Sequence, residues 1–98
     1  HAGRFEHALT TAERVVALTR EQLGEPSIAY GTALHNVATM QLELGRPGEA
    51  IESFGRALTT FEAALGPLHP QLANTLSSRS AAFTMISLCL VILCFLHR

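Results

Sequence analysis

"ALHNVATMQLELGRPGEAIESFGRAL", residues 33–58, holds two amphipathic stripes joined by a turn. In its first half Ala33, Leu34, Val37, Ala38 and Leu44 fall on one apolar side, with Tyr30 one turn upstream. In its second half Ala50, Ile51, Phe54, Ala57 and Leu58 begin a continuous stripe that Phe61 and Leu65 complete. Between the stripes, "LGRPG" at 44–48 carries the punctuation of a helix–turn–helix connection. Gly45 suits the left-handed residue that closes one helix, and Pro47 suits the first turn of the next. A connection that short obliges the two helices to lie antiparallel.

Working outward, the chain repeats itself with a period of 42 residues. That shift superposes Gly3 on Gly45, Arg4 on Arg46, Ala8 on Ala50, Arg14 on Arg56, Leu23 on Leu65, Gly24 on Gly66 and Leu34 on Leu76. Leu9/Ile51, Thr11/Ser53 and Val16/Leu58 match in kind. The matches fall at helix ends and on apolar faces, and a period of this size signals a helical array. Residues 5–23 carry Phe5, Ala8, Leu9, Ala12, Val15, Val16 and Leu23 at three–four spacing. Gly24 and Gly66 suit helix C-termini, and Pro26 and Pro70 discourage continuation. No alternating β pattern appears. The sequence therefore predicts an all-α chain of about four antiparallel helices, near 5–23, 28–44, 47–65 and 70–96.

The stretch quoted above resembles a tetratricopeptide repeat. Leu34, Val37 and Ala38 match the first-helix packing slots, Gly45 the turn, and Ala50, Phe54 and Ala57 the small–aromatic–small pattern of the second helix. The standard repeat is about 34 residues long. The longer period here, with "LGPLHPQLANTL" (65–76) between copies, is similar to the kinesin-light-chain type. The resemblance spans roughly 3–78: a full repeat at 28–65, a preceding second helix and the start of a following first helix. It implies a short right-handed solenoid over a repeat region 1–78, and a protein–protein interaction role as adaptor or scaffold.

Departures from the pattern cluster at the two ends. Pro26-Ser27 stands where the second copy has Leu68-His69-Pro70, and Ala12 and Val15 stand where it has Phe54 and Ala57. Arg79 and Ser80 occupy the slots of Val37 and Ala38. An Arg in a packing slot is costly unless its head reaches water, so the repeat is expected to break down there.

In the family, the first helix of each pair lines a concave surface that receives an extended peptide or a partner helix. By resemblance, that surface would present Thr32, His35, Asn36, Thr39 and Glu43, together with Asn74, Ser77 and Ser78 one period on. Asn36 matches a slot where the family often carries an Asn that bonds ligand backbone, a task suited to an amide that both donates and accepts. An ordinary solvated polar face remains open for each of these residues, most of all for Glu43. Neither Lys nor Arg precedes Arg79 on these helices, so a clamp for acidic peptide tails is not expected.

Composition narrows the classes further. All eight acids are Glu, all seven bases are Arg, and the net charge is −1 with no basic stretch, which argues against a nucleic-acid partner. The five histidines are scattered without an acid or second His at ligand spacing, and no HExxH, GxSxG or phosphate-binding glycine motif occurs. No catalytic, cofactor-binding or metal residue is therefore expected. Cys89 and Cys94, five residues apart, point to different sides of a helix and read as small hydrophobes.

The last stretch, "AAFTMISLCLVILCFLHR" (81–98), has a different character, and 79–98 is set apart as a hydrophobic C-terminal helix. Its sixteen uncharged residues 81–96 span about 24 Å as a helix, against a hydrocarbon core of about 30 Å. Three readings stay open: a membrane anchor through 81–96, a core helix covered by partners with self-association among them, or unrelated coding sequence that interrupts the repeat. The first gives the alternative function, a membrane-anchored protein whose tail tethers the repeat to a bilayer. The expected location is cytoplasmic, with membrane association through the tail as its open point.

Overall fold

The computed structural model describes residues 2–97. Among them are four helices and no strand: α1 (Ala2–Leu23), α2 (Ile28–Glu43), α3 (Pro47–Leu65) and α4 (Pro70–Leu96). The all-α expectation holds, and the bounds of α3 and α4 are those read from the sequence.

Local chemistry explains the helix ends. At the α2–α3 turn, Gly45 takes φ 75°, the Arg46 N–H reaches the Gln41 carbonyl at 2.8 Å and the Gly45 N–H reaches Leu42 at 3.1 Å. This pair of bonds is the Schellman closure, and Pro47 then opens α3 where its missing N–H costs nothing. Pro26-Ser27, which looks degenerate beside its repeat partner, supplies a cap of its own. The Ser27 hydroxyl accepts the Tyr30 N–H at 3.2 Å and donates to the Gly24 carbonyl at 3.0 Å. His69 plays the corresponding part for α4, its Nδ1 accepting the Gln71 N–H at 3.1 Å.

Side-chain partners run in opposite order along successive helices, which fixes them as antiparallel. Glu6 pairs with Arg46 near one end of α1, while Val16 packs on the Tyr30–Leu34 cluster near the other. Ala38 meets Ala50 and Phe54, and Tyr30 meets Ala57 and Phe61. Phe54 meets Ala82, whereas Leu72 joins the Phe61 cluster. Phe54 and Phe61 are the aromatic pillars, both essentially inaccessible, each worth about 2–3 kcal/mol of burial. Gly31 explains how Phe61 fits: a Cβ there would lie 2.7 Å from the ring, so only a bare backbone permits the approach.

Polar groups inside this packing are matched. The Ser53 hydroxyl donates to Gln41 Oε1 at 2.7 Å, and both residues are buried. Among the described residues no buried side-chain nitrogen or oxygen lacks a partner. Arg79 does not break α4: it is half-buried, and its guanidinium lies along the Gly55 position of α3, 3.8 Å from where a Cβ would stand. The helix crosses residues 77–80 without interruption, and packing continues one turn further to Ala82, which is fully buried. Packing ends after Ala82, inside a continuous helix.

Candidate functional site

The first candidate surface belongs to α2 and α4. Thr32, Asn36 and Glu43 are exposed, and Thr39 is half-buried, with its hydroxyl donating to the His35 carbonyl at 3.0 Å. Positions 32, 36, 39 and 43 share one helix face by spacing. On α4, Asn74 and Ser77 are exposed and Ser78 is half-buried, its hydroxyl donating to the Asn74 carbonyl at 3.3 Å. The expected site residues are thus accessible in large part, with one turned to a different use.

That residue is His35. Its Nδ1 shares a hydrogen bond of 3.1 Å with the hydroxyl of Thr75, which is fully buried, and its ring meets Phe54 edge-on at 5.2 Å. His35 therefore ties α2 to α4 and packs on α3, and burial pushes its pKa below the usual value of 6.5. The clasp draws the face carrying Asn36 beside the α4 turn that carries Asn74 and Ser78.

A second surface lies between α3 and α4, an open groove of about 450 Å³ lined by Leu58, Glu62, Leu68, Leu72, Ala73 and Leu76 among others. Shifting Leu58, Leu72 and Leu76 back by 42 residues gives Val16, Tyr30 and Leu34, the wall that Ala57 and Phe61 of α3 cover. The same wall therefore occurs twice: Ala57 and Phe61 of α3 pack on the first, leaving a smaller opening of about 150 Å³ beside Glu13, Val16, Ser53 and Arg56, while the second stays open. One wall differs, since Ala73 replaces Gly31. A ring at the level of Phe61 would meet that methyl, so the open groove suits a helix with a small residue there. Sequence reading missed this groove, although the period marked its lining residues.

Arg56 also gains a partner that spacing did not reveal. Its guanidinium donates to the Tyr30 hydroxyl at 2.7 Å, holding α3 to the start of α2. Arg20 pairs with Glu25 at 3.0 Å across the end of α1, with both side chains more than half exposed, a surface contact of little net weight. Among the described residues no group of His, Cys, Asp or Glu is arranged to hold a metal ion.

Comparison with family models returns the tetratricopeptide repeat over residues 1–63, more than half of the chain. The match ends within α3, so the 66–69 linker and α4 lie beyond it. Neither comparison with curated proteins nor comparison with solved structures returns a match. The repeated helix pair, its Gly–Pro turn and its small–aromatic–small packing agree with that family match. The chain belongs to the tetratricopeptide repeat family, whose repeats are non-catalytic modules that generally serve protein–protein interaction.

Proposed function

We propose that this chain is an adaptor or scaffold element that receives an extended peptide across the polar face of α2 and α4, as part of a right-handed solenoid. The observation that carries this reading is the His35–Thr75 clasp. It anchors the two helices to each other at the residues next in sequence to exposed Asn36 and Asn74, whose amides can each donate to and accept from a peptide backbone. Thr32 and Ser77 add hydroxyls, and Glu43 sets a negative end that favours a ligand with a basic residue there. The 42-residue period and the Leu-Gly…His-Pro linker at 65–70 support the kinesin-light-chain type of repeat.

A second binding mode is favoured by the repeated wall: a partner helix lying over Leu58, Leu72 and Leu76 as Ala57 and Phe61 of α3 pack on Val16, Tyr30 and Leu34. Its ligand would be amphipathic, with an alanine or similarly small residue opposite Ala73.

Both readings are tested by selecting peptides from a random display library against the chain and titrating the winners into variants. The first predicts that Asn36→Ala weakens binding about tenfold, the worth of roughly one backbone-directed hydrogen bond, while Leu76→Arg leaves it unchanged. The second predicts the reverse. Ligands indifferent to both substitutions would contradict both readings.

A further inference from the structure

The two ends of α4 are covered to very different degrees. Up to Ala82 the helix is held against α2 and α3, with Thr75 and Ala82 fully buried. Beyond Ala82 none of its described residues is buried, and all but Ile86 are exposed. Leu90, Val91, Ile92 and Leu93 are 62%, 64%, 55% and 52% exposed. Consecutive residues step about 100° around a helix, so these four look out in four directions. Apart from Thr84 and Ser87, one turn apart near its start, the free surface is apolar on every side, and from Leu88 to Leu96 it carries no hydroxyl, amide or charge.

That shape discriminates between occupants. A groove, a partner helix or a second copy covers one stripe and leaves the remaining faces wet, whereas lipid covers every face. The chemistry agrees: residues 81–96 contain no charge, and the Thr84 hydroxyl donates to the Ser80 carbonyl at 3.0 Å, so it needs no water. By length and composition α4 is sufficient to cross a membrane.

We propose that residues 83–96 insert into a lipid bilayer and hold the packed helices at its surface. The free stretch is about 21 Å long, and Ala82, packed beneath Phe54, stops the helix from sinking further. Against a hydrocarbon thickness of about 30 Å, local thinning closes the difference, with His97 at the far end of the inserted stretch. The repeat surface is then presented close to the headgroups. The proposal does not depend on which ligand the α2–α4 face binds.

The test is flotation of the full chain, reconstituted from detergent into phosphatidylcholine vesicles and washed with alkaline carbonate. Beside it go four single variants: Leu90→Arg, Val91→Arg, Ile92→Arg and Leu93→Arg. None of these residues touches the packed core, so thermal unfolding of the repeat region checks that each variant folds. Insertion predicts that the parent chain floats and that all four substitutions weaken partitioning by on the order of 100-fold. A parent chain that pellets or washes off would overturn the proposal. Sensitivity confined to one or two adjacent directions would overturn it as well, since that is the signature of a protein partner or a second copy.

Discussion

The groove between α1 and α2 is largely covered by α3, which leaves an opening of about 150 Å³, whereas its period-equivalent between α3 and α4 is open over about 450 Å³. Their walls are alike, Val16, Tyr30 and Leu34 against Leu58, Leu72 and Leu76. What differs is the connection that follows. After α2 the chain reads Leu44-Gly45-Arg46-Pro47, turns, and lays α3 back into the first groove. One period later it reads Ile86-Ser87-Leu88-Cys89, with no residue suited to positive φ and no proline. The helix runs straight on, and the segment that would have filled the second groove projects away from it. Two or three turn residues thus decide whether an apolar stripe becomes core or surface.

The sharpest way to break this comparison is to substitute equivalent positions in the two grooves. Leu34→Ala, on the covered wall and only 2% exposed, should cost about 2–5 kcal/mol by urea denaturation. Leu76→Ala, on the wall of the open groove and already 46% exposed, should cost under about 1 kcal/mol. Similar losses at the two sites would mean that the second groove is occupied in solution.

Next in size is the glycine under the ring. Gly31→Ala places a methyl against Phe61 and should cost about 1–3 kcal/mol, with much of the loss recovered in a Phe61→Leu background. At the equivalent position, Ala73→Gly should cost about 0.5–1 kcal/mol through helix propensity alone. A harmless Gly31→Ala would refute the close approach. The turn gives a smaller contrast: Gly45→Ala should lose about 1–2 kcal/mol from forcing a Cβ into the left-handed region. Ser87→Ala, in mid-helix, should be neutral or slightly stabilising. Thermal denaturation of the two variants side by side measures it.

These contrasts also separate what was legible in the sequence from what was not. The four helices were legible because Gly45, Pro47, Gly66 and Pro70 punctuate stripes of helical period. The filled core was legible from Phe54 and Phe61 for the same reason. Ser27 was obscured because a cap is a single hydroxyl whose role depends on local backbone geometry, and the comparison with Leu68-His69-Pro70 drew attention to what it lacks. Arg79 was expected to end the repeat because a slot was read as wholly buried. In the fold its guanidinium lies against a small neighbour, Gly55, and the side chain stays only half-buried, so the helix passes through this slot unbroken. On the candidate surface, accessibility of Asn36 and Thr32 followed from helical spacing. The His35–Thr75 bond did not, since it joins residues 40 apart in sequence.

The smallest predicted effect concerns that bond. Burial lowers the pKa of His35 in the folded chain below its ordinary value of 6.5, so between the two values the unfolded chain binds more protons. The stabilisation is fully present above about pH 6.5 and is lost as pH falls through the folded value. Urea midpoints measured from pH 7.5 down to 5 should therefore decline on the acid side, and the part due to His35 should vanish in His35→Asn. An unchanged slope in that variant would assign the decline to other groups.

The most direct test of the account is amide hydrogen exchange along α4 in lipid-free buffer, read residue by residue at protein concentrations low enough to avoid association. If packing ends at Ala82, amides from Thr75 to Ala82 should exchange at rates near those of α2 and α3, and those from about Ile86 onward should exchange far faster. Uniform protection through Phe95 would contradict the account, because it would require the second half of α4 to be buried against protein rather than standing free.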